Sequence, residues 1–155
     1  MKKKNILLTI LILLILIQFI RVDQTNPESK VESNYFIVAS VPTHVQSIME
    51  ESCFDCHSNQ TIYPWYSKVA PASWFLNQHI KEGRKKINFS EWDVYSTEDQ
   101  VKIMEECIEE IRENKMPLKS YVLIHSKAKL SNEEKDALIQ WFMAKPLTGT
   151  VPVLN

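Results

Sequence analysis

A chain of 155 residues, 45% hydrophobic and 24% charged, has the composition of one globular domain with short terminal segments, which excludes wholesale disorder. The net charge of -1 conceals an asymmetry: four of the 18 basic residues fall in the first 21 positions, leaving 14 against 19 acidic residues beyond, a net of about -5. That acidic balance, with no basic face of interleaved aromatics, argues against nucleic acid as a partner.

Lys2, Lys3 and Lys4 precede an apolar run from Ile6 to Ile20 that is interrupted only by Thr9 and Gln18. A positive segment followed by an apolar one is the layout of an export signal. A buried core helix is the competing reading, but this run has no polar face to show to water. The following residues, Arg21-Val22-Asp23-Gln24, are not the small residues a signal peptidase prefers, and no cysteine near the junction could carry a lipid. The run is shorter than the roughly 20 residues that span a bilayer, a shortfall that snorkelling of the lysines and Arg21 reduces. Residues 1–21 are therefore expected to be a signal peptide or, by preference, an uncleaved signal anchor. Residues 6–20 would then lie in the inner membrane, with the lysines inside and the domain in the periplasm.

Residues 22–40, with Gln24-Thr25-Asn26-Pro27-Glu28-Ser29, are expected to form a linker. A folded domain is expected over 41–146 and a loose tail over 147–155. Within the domain, Pro42 opens a helix that places Val45, Ile48 and Met49 on one face and runs into Cys53. Tyr63-Pro64-Trp65-Tyr66 forms an aromatic loop, and a second helix covers Ala72 to Lys86. A third follows a capping box at Thr97-Glu98-Asp99-Gln100, carries Val101, Met104, Ile108 and Ile111 inward, and ends near Lys115 because of Pro117. A fourth opens on the capping box Ser131-Asn132-Glu133-Glu134, turns Ala137, Leu138, Trp141 and Phe142 inward, and stops at Pro146. No alternating run of strand length appears, so the fold class is all-α.

Cys53-Phe54-Asp55-Cys56-His57 is a C-x-x-C-H sequence, the signature of c-type haem attachment. Two thiols add to the two vinyl groups of the porphyrin, and the adjoining imidazole meets the iron from the proximal side. Three other chemistries share the spacing. A Cys53–Cys56 disulfide fits an oxidising compartment, and a thioredoxin-like redox pair normally sits in a βαβ context that is missing here. Zinc needs a second pair of ligands, whereas Cys107 is isolated among apolar helix positions, as a small buried hydrophobe would be. The export signal, the adjoining His57 and the helical context favour one covalent haem c.

For the other axial position the candidate is Met116, 59 residues beyond His57 and pinned by Pro117 at a helix end. Its rivals are His79 on the second helix and His125 in Val122-Leu123-Ile124-His125, with His44 the weakest. Trp65, Trp74, Trp92 and Tyr66 are candidate walls of a haem pocket, although large aromatics also build cores. Arg84-Lys85-Lys86 could reach a propionate, but such a charge run is more often a solvated helix end, and that is the expectation.

Several blocks in order carry a family resemblance. Cys53 to Asn59, Tyr63-Pro64-Trp65-Tyr66-Ser67, Ala70-Pro71-Ala72-Ser73-Trp74, Glu82-Gly83-Arg84, Asn88 to Trp92 and Met116 to Tyr121, with Ile124-His125 and Ala128 to Ser131, resemble the bacterial haem-binding domain family of small exported cytochrome-like proteins. The likeness covers roughly residues 40 to 145. It implies covalent haem c and an export route, but no general reaction. Met-Pro after a helix also looks like the distal-ligand loop of mono-haem cytochromes c, although few glycines line that loop here. The expected function is electron transfer by Fe(II)/Fe(III) cycling, with redox proteins as partners and no enzyme activity required. The alternative is a peroxidase-like or gas-binding haem protein with an open or labile distal position, for which His79 or His125 with Arg84 would supply polar groups.

Overall fold

Local signals in the sequence account for most of the helix boundaries in the computed structural model, which describes residues 2–144. Helix α1 spans Lys2–Leu16 and tightens into a 3-10 turn at Ile17–Phe19. Its side chains from Ile6 to Leu16 are exposed along the whole length. No helix among the described residues is long and apolar enough to cross a membrane. The expected stop at Pro146 and the tail at 147–155 lie outside the described residues.

Seven further helices follow: α2 Tyr35–Val38, α3 Thr43–Ser52, α4 Phe54–His57, α5 Ala72–Lys86, α6 Thr97–Arg112, α7 Lys119–Ile124 and α8 Asn132–Ala144. No strand occurs among the described residues, so the architecture is all-helical. Helix α6 packs on α8, α3 lies against α8 and leads into α4, and α4 sits on α5. Between them lies one core, built from Val45, Met49, Met104, Ile111, Leu138 and Phe142 together with the aromatics Tyr35, Phe54, Phe89 and Trp92.

Helix α5 has the bounds expected of it, and α8 opens as expected. The Ser131 amide donates to the Glu134 carboxylate at 2.7 Å, while the Glu134 amide donates to Ser131 Oγ at 3.1 Å, a reciprocal capping box. Helix α6 differs by one residue. Its N-cap is Ser96, whose Oγ accepts from the Asp99 amide, and Gln100 instead donates to the carbonyls of Tyr95 and Trp92. The helix also stops at Arg112, before Lys115. Asn114 adopts a left-handed φ of 56°, and the amides of Lys115 and Met116 both turn back to the Glu110 carbonyl. An asparagine tolerates that conformation and so ends the helix ahead of the proline.

The segment 22–40 is not a free linker. Asn34 caps α2 by accepting the Phe36 amide, and Tyr35 is 1% exposed with its ring 4.7 Å from that of Trp92. The Tyr35 hydroxyl accepts the Trp141 indole N–H at 2.8 Å, which joins the segment to α8. Residues 18–26 lie along the surface of the domain through a series of side-chain bonds. The signal for this was present in the sequence: Tyr35-Phe36-Ile37-Val38 is a run of four large hydrophobic residues beyond the polar stretch.

Candidate functional site

Helix α3 ends at Ser52, and Cys53 takes a φ of -125° that turns the chain into the single turn α4. This junction carries both thiols and the imidazole. Phe54, between them, is buried and acts as its anchor, stacking on Phe36 at 4.4 Å and on Phe89 at 5.6 Å. Asp55 points the other way. Its Oδ1 accepts the Ile62 amide at 2.8 Å, and its Oδ2 accepts the Tyr121 hydroxyl at 2.5 Å. One turn is thus held from the core side by an aromatic stack and from α7 by a charge-assisted hydrogen bond.

The environment of His57 is specific. Its Nδ1 lies 3.0 Å from the Gly83 carbonyl oxygen and 3.4 Å from that of Ile87. A carbonyl only accepts, so Nδ1 carries the proton and donates, which leaves Nε2 as the nitrogen that can bind iron. Burial holds the pKa of His57 below the usual histidine value, and so favours the neutral form that a ligand needs. A ligand histidine whose other nitrogen donates to a backbone carbonyl has its ring orientation and tautomer fixed before any metal arrives.

Gly83 makes that contact geometrically feasible. A Cβ at this position would fall 2.5 Å from the Cys56 carbonyl oxygen and 3.0 Å from the Cys56 carbonyl carbon. Helix α5 therefore approaches α4 more closely than any residue with a side chain allows. Beside it, Arg84 Nε donates to the Ser58 carbonyl at 2.8 Å, and its terminal nitrogen donates to Thr61 Oγ1 and Asn26 Oδ1, each at 2.9 Å. Lys85 and Lys86 are exposed, as expected of a solvated helix end, but Arg84 is a half-buried strut. The chain after His57 is fixed as well. Ser58 Oγ donates to the Phe54 carbonyl, and the Asn59 amide donates to Ser90 Oγ. Asn59 also donates to Glu91 and accepts from the Asn88 side chain.

Both thiols of the pair are free and half-buried, as is Cys107. Burial pushes Cys53 up to about 12 and Cys56 up to about 11. A thiol-disulfide exchange site needs the reverse, a lowered thiol pKa. Among the described residues no three His, Cys, Asp or Glu side chains converge to hold a metal through protein ligands alone. The donor set fits a haem iron, because one imidazole is prepared and the macrocycle supplies the equatorial nitrogens.

The remaining candidates are dispersed. Met116 is half-buried in the turn between α6 and α7, and α7 is the helix tied to Asp55 through Tyr121. His79 and His44 lie on exposed faces. His125 is half-buried; its Nε2 is 2.7 Å from the Tyr66 hydroxyl, and its ring stacks on Tyr121 at 4.3 Å. Trp65 is 79% exposed, with its ring edge-on to Tyr66. Trp74 donates its indole N–H to the Ile20 carbonyl. Trp92 is buried in the core. A shallow cavity of about 230 Å³ lies between residues 29–37, Gln46 and Gln60, and its lining holds no thiol or imidazole.

Sequence reasoning found the two thiols and the imidazole but not the residues that orient them. Gly83, Asn59 and Ser90 entered only as parts of the resemblance, and Arg84 otherwise only as part of a solvated helix end or as a distal polar group. Their signal was a glycine inside a helix of a chain that has only two, next to an arginine.

An all-helical frame that presents a C-x-x-C-H turn, with the imidazole neutral and oriented through Nδ1, defines a helical haem-binding protein. The chain belongs to the haem-binding domain family, whose model matches residues 12–144. Neither the curated proteins nor the solved structures gave a match.

Proposed function

We propose that the protein is a mono-haem c-type cytochrome that transfers electrons outside the cytoplasmic membrane. A haem would be joined through thioethers at Cys53 and Cys56 and its iron held by His57 Nε2 and Met116 Sδ, in a cytochrome c-like domain over residues 41–146. The observation that carries this reading is the hydrogen bond from His57 Nδ1 to the Gly83 carbonyl, within a turn whose two thiols are free. When bound, the iron supplies a one-electron Fe(II)/Fe(III) couple.

The chain's own residues supply the rest. His57 is held neutral and in one tautomer, Asp55 and Tyr121 brace the turn, and Phe54 anchors it to the core. Residues 6–20 serve as the export signal and membrane attachment, and residues 22–40 lie docked on the domain. The acidic domain suits a redox partner with a basic docking patch, reached by electrostatic steering.

A second reading, a haem enzyme or sensor with an open or labile distal position, draws on one observation. Tyr66, His125 and Tyr121 form a polar cluster that reaches the attachment turn through Asp55. It loses Arg84, whose guanidinium is committed to Ser58, Thr61 and Asn26.

Optical spectra of the full chain, matured in a host that attaches haem c, separate the two. The first reading expects a weak far-red sulfur-to-iron band in the oxidised protein and resistance to CO when reduced, both lost in Met116→Ala. A wild-type protein that lacks the band and binds CO at once would remove Met116 from the iron and bring the second reading forward.

A further inference from the structure

We infer that the corner formed by the 3-10 turn Trp65–Lys68 and the first turn of α5 rests on the lipid surface, so that the haem site keeps a fixed attitude to the bilayer. This rests on the reading of α1 as a membrane segment. A flexible linker would let the domain swing, but the chain leaving α1 is tied down almost at once. The Gln18 side chain accepts the Ala70 amide at 2.9 Å and donates to the Ala70 carbonyl at 3.0 Å. The Ile20 carbonyl accepts the Trp74 indole N–H at 3.0 Å, and the Asp23 carbonyl accepts from Asn77 at 2.7 Å. Gln24 then donates to the Ser67 carbonyl, and Asn26 to that of Thr61. Residues 18–26 thus run alongside 61–77 as a bonded strap.

The distance argument is direct. Gln18 follows the last residue of α1, Leu16, by two positions, and two residues of extended chain reach at most about 7 Å. Whatever surface holds the end of α1 therefore lies within about 7 Å of the Gln18 backbone, whose side chain bonds Ala70 directly. The side chains exposed at this corner are the ones a bilayer interface accepts: Phe75 (67% exposed), Val69 (44%) and Phe19 (80%), beside the half-buried indole of Trp74. Arg21 and Lys68 are exposed beside them and offer positive charge to anionic headgroups. The neighbouring acid, Asp23, is turned back onto the amide and hydroxyl of Thr25. A protein partner would have to reach this corner past the lipid that holds α1, which is why a lipid surface is the occupant the geometry favours.

The test is photocrosslinking of the full chain in vesicles of phosphatidylethanolamine and phosphatidylglycerol. A benzoyl-phenylalanine replaces Phe75, Phe19 or, as a control beyond the far end of α5, Val94, and adducts are identified by mass spectrometry. Retained helical circular dichroism and haem content show that each variant is folded. The expected result is phospholipid adducts from positions 75 and 19 and none from 94. Gln18→Ala should lower the adduct yield at 75 severalfold while leaving that at 19 unchanged.

Lipid adducts at 19 with none at 75, or an adduct at 75 with another protein or a second copy of this chain, would overturn the seated pose and leave the membrane attachment standing. Absence of lipid adducts at 19 would overturn the attachment itself, and the inference with it. An undiminished yield at 75 in Gln18→Ala would show that the strap does not set the pose.

Discussion

Gly83→Ala tests the packing that orients His57, because one added methyl cannot be accommodated. The new Cβ would sit 2.5 Å from the Cys56 carbonyl oxygen, and both the oxygen and the nearby carbonyl carbon belong to backbone, which cannot rotate away. Helix α5 must therefore move off α4 by several tenths of an ångström or more. Overpacking of this kind costs about 1–3 kcal/mol. Stretching the hydrogen bond from His57 to the Gly83 carbonyl costs up to about 1 kcal/mol more. Against this, alanine in a helix gains about 1 kcal/mol over glycine. The net expectation is a loss of about 0–3 kcal/mol, centred near 1.5, in urea unfolding at pH 7. The second readout is the redox potential. A weaker Nδ1 hydrogen bond makes the imidazole a poorer donor and favours the reduced iron, so the potential should rise by roughly 20–40 mV, with 59 mV equivalent to a tenfold change for one electron. An alanine variant within about 0.5 kcal/mol of wild type, with its potential unmoved, would refute the argument that Gly83 positions His57.

Arg84→Ala removes three hydrogen bonds at once and leaves the Ser58 carbonyl without its charged donor, so a loss of about 1.5–3 kcal/mol is expected from urea unfolding. Thiol titration in denaturant should find one reactive thiol per haem-loaded chain, that of Cys107; three would mean that neither Cys53 nor Cys56 is joined to the haem. Burial pushes Cys107 up to about 12 in the folded protein from an ordinary 9.0. Its contribution to stability is therefore complete below pH 9 and lost as the pH rises from 9 toward 12. Comparing wild type with Cys107→Ala by unfolding across that range should show a shallower alkaline decline in the variant.

The residues proposed to bear the chemistry were legible because their signals are local. Two thiols and an imidazole within five positions define an attachment sequence whatever surrounds them. Ala72 to Lys86 and the Ser131–Glu134 box declare themselves within a turn or two of chain, where propensity and capping operate. Two boundaries of α6 differ from those the sequence implies: Ser96 rather than Thr97 caps it, and Asn114 rather than Pro117 ends it. Tertiary structure decided the rest. That the Nδ1 proton of His57 meets a carbonyl 26 residues away, that Arg84 reaches Asn26, and that Tyr35 fills the core against Trp92 and Trp141 all depend on how helices cross. Such contacts join residues far apart in the chain, and their energies depend on distances of a few tenths of an ångström that side-chain spacing along a sequence does not encode. The imidazole proposed to bind iron could be named from five residues, but its orientation required the glycine that lets α5 touch α4.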